Sequence, residues 1–190
     1  MYKRQYQHWS DTKPWDHRKI TYYFGDERCV PPDHQVSNFG MVMRTLFSGG
    51  IPSGCKIVRM QGEIDRQEAV KNYEETLPES VDILLLSVGP DGHVASLFPG
   101  SPALHEKNKN IVPVVGPKSP PKRITITPCV IKSAKSKFLF AQGKEKGCIL
   151  SKALEQPNDF VKLPVRLVIN STWIMDSVAK SQINQCTQNY

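Results

Sequence analysis

Val81-Asp82-Ile83-Leu84-Leu85-Leu86-Ser87-Val88, followed at once by Gly89-Pro90-Asp91-Gly92-His93, is the stretch on which the fold turns. A nearly continuous apolar run of this length is the pattern of a parallel strand buried on both faces. The glycines end it, and His93-Val94-Ala95-Ser96-Leu97 could open a short helix.

The segments around it alternate in type. Upstream, Lys19–Phe24 is rich in β-branched and aromatic residues, reads as a strand, and ends abruptly in the loop Gly25–Arg28. Pro31–His34 is a rigid loop. Ser37 or Asn38 could cap a helix to about Phe47, with Met41, Val42, Leu46 and Phe47 on its apolar side and Ser48–Pro52 stopping it. Lys56–Met60 is a short strand. Asp65–Thr76 has helical spacing, with Ala69, Val70 and Tyr73 inward. Downstream, Asn110–Val115 and Arg123–Thr127 read as strands around the proline-rich loop Gly116–Pro121. Lys137–Ala141 reads as a strand, Gly143–Leu154 as a helix and Val165–Asn170 as the last strand. Trp173–Lys180 packs after it, and the polar tail Ser181–Tyr190 is expected to fray. Alternating strands and helices imply an α/β fold with a mostly parallel sheet, whose ligands bind beyond the carboxyl ends of the strands. The loops Gly25–Arg28 and Gly89–His93 both follow strands and are expected on one rim.

Composition narrows the classes. The chain has 190 residues, enough for a single domain over 1–190 with its core at about 15–180. Hydrophobic residues make up 39% and charged residues 23%, which reads as soluble and globular. No apolar run approaches the ~20 residues of a membrane span, and the first residues lack a signal peptide's apolar stretch. The expected compartment is therefore cytoplasmic, without membrane contact. The five cysteines show no Cys-x-x-Cys spacing, so neither a disulfide framework nor a zinc site is expected. The net charge of +7 suits an anionic partner. The cations are scattered and no basic stripe is interleaved with aromatics, so a small anion is expected and not a nucleic acid.

Several residues could carry chemistry. His93 follows two flexible glycines, Gly89 and Gly92, which let the backbone turn sharply and approach a ligand closely, and it stands near Asp91, which could orient the imidazole. An imidazole with an ordinary pKa near ~6.5 can serve as a general base at neutral pH. Read alone, the same turn is equally a histidine capping the segment behind it. Arg28, beside Asp26 and Glu27, offers a fork suited to phosphate or carboxylate, or else a surface ion pair. Arg123 and Lys146 adjoin predicted elements, and Lys146 lies in the first turn of a helix, where backbone N–H groups attract anions. Solvated surface charge is the other reading of both. There is no Gly-x-Ser-x-Gly elbow, no metalloprotease His pair after His105-Glu106, and no Walker-type phosphate loop. Ser48-Gly49-Gly50 follows a helix and reads as its stop.

Taken together, Phe24–His34, Ser37–Gly40, Val88–Gly100, Pro120–Thr125, Gly143–Lys146 and Trp173–Asp176 resemble the 6-phosphogluconolactonase family, in that family's order, from about Trp15 to Lys180. The Gly89–Gly100 stretch is the most specific. The resemblance implies a Rossmann-like α/β fold and hydrolysis of a sugar-phosphate lactone, 6-phosphoglucono-1,5-lactone, in the oxidative pentose phosphate pathway, without metal or cofactor. It further implies His93 as the base that activates water, supported by Asp91. Arg28, with Asp26, would lie near the lactone, Gly89 and Gly92 would line the substrate, and Arg123 and Lys146 would bind its phosphate.

Two departures stand out. The family's first strand–helix–strand portion, with its Ser-Gly-Gly phosphate loop, has no counterpart here. The expectation is a shortened member whose phosphate rests on the later cations and whose apolar surface is more exposed. Val94 also stands where a threonine is common. A truncated, weakly active or non-catalytic sugar-phosphate-binding homologue is the alternative. Glucosamine-6-phosphate deaminase is a further one, against which Phe98 stands where that reaction needs an acid. Oligomeric state is not legible.

Overall fold

Helices and strands alternate through residues 2–156 and 158–187, the part described by the computed structural model. In chain order they are α1 (Tyr2–Thr12), β1 (Thr21–Tyr23), β2 (Asp26–Arg28), α2 (Asn38–Thr45), β3 (Lys56–Val58), α3 (Arg66–Glu74) and β4 (Ile83–Ser87). Then come β5 (Ile111–Val115), β6 (Lys122–Ile126), α4 (Pro128–Ser133), β7 (Ser136–Ala141), α5 (Lys144–Glu155), β8 (Thr172–Met175) and α6 (Ser177–Thr187). Two 3-10 turns cover Pro102–His105 and Pro164–Val168. No helix among the described residues is long and apolar enough to cross a membrane.

Contacts gather the chain into two compact units, Met1–Leu77 with Pro113–Ile124, and Pro78–Val112 with Thr125–Tyr190. In the first, β1 and β3 pair in parallel, Tyr22 opposite Ile57. Helix α2 and the turn that ends it supply the buried Val42, Leu46 and Phe47, against which Tyr6 and Trp9 of α1 pack. Helix α3 is capped by Asp65, whose side chain accepts from the N–H groups of Gln67 and Glu68, and it buries Ala69, Val70 and Tyr73 as its spacing predicts. The Tyr73 hydroxyl donates to the carbonyl of Phe24 at 3.0 Å and accepts from its N–H at 2.7 Å. That pair fixes the chain between β1 and β2. Strand β2 belongs to a separate sheet of order β2-β6-β5.

In the second unit, β4, β7 and β8 form a parallel sheet in that order, with Leu86 opposite Leu139 and Leu139 opposite Trp173. Helices α5 and α6 pack so closely that a Cβ on Gly147 would lie 2.4 Å from the Ala179 carbonyl. The core is built from Leu84, Leu86, Val88, Leu139, Leu150, Val165 and Ala179, among others.

Five local expectations are corrected. Strand β4 is not buried equally on both faces: Leu84 and Leu86 are buried, while Leu85 and Ser87 are half-buried and Ile83 is 63% exposed. Gly25–Arg28 is not a free loop, because Asp26–Arg28 pairs into a sheet. His93–Leu97 is not a helix; isolated antiparallel bridges tie Val94 to Val88 and to Leu97. Val165–Asn170 is not a strand: Pro164 starts a 3-10 turn there, and the last strand is β8. The tail is helical through Thr187 in α6, while residues 188–190 lie outside the described residues.

Candidate active site

Each unit holds one cluster of the residues singled out by the sequence. In the second unit the cluster forms at the carboxyl end of β4. The chain turns back at Gly89, whose N–H donates to the His93 carbonyl at 2.8 Å, while the Gly92 N–H donates to the Gly89 carbonyl at 3.0 Å. Gly92 takes a φ of +85°, a region that favours glycine, and a Cβ there would lie 2.3 Å from Leu163. Gly89 is needed for a different reason: a Cβ would sit 2.1 Å from the His93 ring. The imidazole itself makes a close approach to Gly89.

His93 Nδ1 lies 2.5 Å from Asp91 Oδ1. An ionised carboxylate only accepts, so this contact assigns a ring proton to Nδ1, and in the neutral imidazole Nε2 keeps its lone pair. Burial raises the Asp91 pKa, but the hydrogen bond and charge of His93 outweigh it and hold the carboxyl below its ordinary value. Phe98, 6% exposed, flanks the imidazole with ring centroids 4.9 Å apart. The ring is thus held by a carboxylate, a backbone without a side chain, and a phenyl group.

Lys146 comes from the first turn of α5. Its ammonium donates to Ser87 Oγ at 2.7 Å, which puts the amine at the end of β4, and burial lowers its pKa. The start of α5 is fixed by Asp176. Both of its carboxylate oxygens accept from the Gly143 N–H at 3.1 Å, and Oδ1 also accepts from Ala179 N–H at 2.8 Å. One carboxylate therefore caps α6 and anchors the turn before α5.

In the first unit the cluster is Asp26, Glu27, Arg28 and Arg123. Glu27 is 2% exposed. Its Oε1 accepts from the N–H groups of Arg28 (2.8 Å) and Asn38 (2.7 Å), and its Oε2 from Phe39 N–H (2.8 Å) and Ser37 Oγ (3.0 Å). Burial pushes its pKa up and these donors pull it back without cancelling the rise. Ser37 also accepts from Gly40 N–H as the N-cap of α2. The N-terminus of α2 is thus filled by the protein's own carboxylate and hydroxyl. Arg28 Nη1 donates to the Val36 carbonyl at 3.1 Å and to Asn38 Oδ1. Arg123, 7% exposed, donates from Nε to the Pro120 carbonyl at 3.2 Å. Burial first, then the charge of Arg28, lowers its pKa, while Asp26 and Glu27 oppose the shift.

Sequence reasoning found His93, Asp91, Lys146, Arg28, Asp26 and Arg123 as separate candidates. The structure brings Asp91 to His93, and Arg28, Asp26 and Arg123 into one electrostatic neighbourhood. Ser87 as the lysine's partner and Phe98 as the wall of the imidazole were missed. A serine closing an apolar strand before a glycine turn is the signal that marks Ser87. Among the described residues no group of three or more His, Cys, Asp or Glu side chains could hold a metal ion.

Parallel strands with a histidine–aspartate turn at a carboxyl end, and a helix starting beside it with a half-buried lysine, define a Rossmann-like α/β protein. A family model described as glucosamine-6-phosphate isomerases/6-phosphogluconolactonase matches residues 1–175, and the chain belongs to that family. It is 34% identical over 169 residues to human 6-phosphogluconolactonase, covering 82% of this chain and 65% of that protein. To the 6-phosphogluconolactonase of Pseudomonas aeruginosa it is 34% identical over 167 residues, covering 84% and 70%. A solved 6-phosphogluconolactonase from Trypanosoma brucei superposes with a TM-score of 0.79 at 25% identity, over 95% of this chain and 82% of that one. The chain thus spans about two thirds of the length of the curated relatives named here.

Proposed function

We propose that this chain hydrolyses 6-phospho-D-glucono-1,5-lactone to 6-phospho-D-gluconate, with His93 as general base. The observation that carries the reading is the imidazole itself: Nδ1 engaged by Asp91, the ring wedged against Gly89, and Nε2 left to accept a proton. The names of the relatives supply the substrate. Water attacks the lactone carbonyl carbon as His93 Nε2 takes one of its protons, and the Asp91 carboxylate stabilises the imidazolium. The tetrahedral intermediate collapses, breaking the bond from that carbon to the ring oxygen, and the imidazolium returns the proton to that oxygen. The product acid ionises at neutral pH. Cations are needed twice, for the phosphate and for the oxyanion. Lys146 and Arg123 are assigned to the phosphate, and Arg28 with Asp26 to the lactone end.

The family description also covers glucosamine-6-phosphate isomerases. Phe98 argues against that chemistry, because a phenyl group beside the imidazole cannot relay the protons of ring opening. The test is His93→Ala. It is expected to retain the fold by circular dichroism and to lose ~10²–10⁴-fold in turnover, measured above spontaneous opening of the lactone. A variant keeping more than half the activity would remove His93 from the mechanism. Faster turnover of glucosamine 6-phosphate than of the lactone would replace the proposed reaction.

A further inference from the structure

We infer that Asn38 is a positioning residue that clamps the Arg28 guanidinium and Asp26 into one pre-set unit; the inference rests on the reading of Arg28 as a substrate anchor. Its backbone comes first. The Asn38 N–H is held at 2.7 Å by the buried Glu27 carboxylate, whose three other donors, Arg28 N–H, Phe39 N–H and Ser37 Oγ, fix Glu27 in turn. From that fixed point the side-chain amide is used at both ends. Its oxygen accepts from Arg28 Nη1, and its nitrogen donates to the Asp26 carbonyl at 2.8 Å and to Asp26 Oδ1 at 3.1 Å. A flipped amide would face donor to donor and acceptor to acceptor, so both neighbours agree on one orientation. Aspartate would lose the donors and set a second negative charge against Asp26. Serine and alanine cannot span the gap.

The pose of Arg28 shows what the clamp does. Its Nε is buried and has no hydrogen-bond partner. A guanidinium free to choose would turn that donor toward water, since a buried unpaired donor is costly. Two contacts on Nη1, from the Val36 carbonyl and Asn38 Oδ1, keep it from doing so. The arginine is therefore ordered before any ligand arrives. An anchor ordered in advance loses less side-chain freedom on binding, and its dipoles need no reorganisation during reaction. Asn38 acts through Arg28 and Asp26 and is assigned no contact with substrate.

The test is a double-mutant cycle joined to a spectroscopic readout. Wild type, Asn38→Ala, Arg28→Ala and the double variant are assayed with 6-phosphoglucono-1,5-lactone, separating kcat from KM. Asn38→Ala is expected to lose about 10-fold in kcat/KM and Arg28→Ala more, with the double variant losing clearly less than the product of the two single losses, as for coupled groups. Losses that multiply would overturn the inference. In ¹⁵N-labelled protein, the Arg28 Nε–H signal, assigned by its disappearance in Arg28→Ala, is expected to be dispersed and slow to exchange with water. In Asn38→Ala it should move to the position of surface arginines and exchange fast. A wild-type signal that already exchanges like a surface arginine overturns the clamp even if Asn38→Ala fails to fold. This readout needs no turnover. A wild type that does not accelerate lactone opening sinks the proposed function, while the exchange measurement still decides the clamp.

Discussion

At position 89 a single hydrogen atom in place of a methyl decides where the His93 ring sits. Because a Cβ would lie 2.1 Å from the His93 ring, Gly89→Ala must rotate the imidazole off Asp91 or shift the turn. Misplacing a reacting group by about 1 Å costs ~10²-fold, so kcat should fall by roughly that factor, with KM changed much less. Steady-state kinetics check it, and an alanine variant with wild-type kcat would show that the wedge is not needed. Asp91 makes a second claim at this scale, about pH. Its folded pKa is depressed, so the stability it contributes is present above the ordinary value of 3.8 and is lost as pH falls through the lower folded value. The stability gap between wild type and Asp91→Asn in urea should therefore be constant at neutral pH and close only below pH 3.8. A gap that closes between pH 5 and 8 would contradict this assignment. The contact of these two residues was legible in sequence because Asp-Gly-His is local: a single residue, Gly92, separates the carboxylate from the ring it holds.

Helix α2 is the element whose start matters most in the first unit. Four donors converge on Glu27, three of them backbone N–H groups. Glu27→Gln replaces one acceptor oxygen with an NH₂ that faces donors, orphaning about two of them. At ~1–3 kcal/mol for each buried unsatisfied group, the loss should be about 2–4 kcal/mol in equilibrium urea unfolding. A loss under about 0.5 kcal/mol, as for a surface substitution, would mean the carboxylate does not organise the helix. The helix itself was legible: Ser37 is the N-cap, and Val42, Leu46 and Phe47 face inward. Its partner strand was not. Asp26-Glu27-Arg28 has no apolar alternation, so only its pairing in the β2-β6-β5 sheet makes it a strand. The opposite error occurred at Pro164–Val168, where β-branched residues suggest a strand. Proline at the start and burial of Val165 and Val168 favour a 3-10 turn there. Helix α1 is polar overall and was not expected from the sequence; Tyr6 and Trp9 hold it against α2.

For the molecule as a whole, a net charge of +7 would act on the proposed anionic substrate before any contact forms. Screening lengths shrink from about 30 Å at 0.01 M salt to about 10 Å at 0.1 M. Thus kcat/KM should fall steadily with added potassium chloride, while kcat at saturating lactone changes little. A flat kcat/KM from low to high salt would leave the overall charge without a role in capture. The sequence by itself determined the α/β class, the apolar strand behind the Gly89–His93 turn, the helices that begin near Ser37 and Asp65, and the types of residue available for base and anion chemistry. These follow from local periodicity, turn chemistry and side-chain ionisation, which need only near neighbours along the chain. Tertiary structure alone decided that Ser87 receives the Lys146 ammonium from 59 positions away, that Phe98 walls the imidazole, and that Asn38 ties Arg28 to Asp26. It also decided that one carboxylate, Asp176, fixes the starts of both α5 and α6. Such contacts depend on strand order and helix packing, and a hydrogen bond depends on tenths of an ångström that no spacing in sequence encodes.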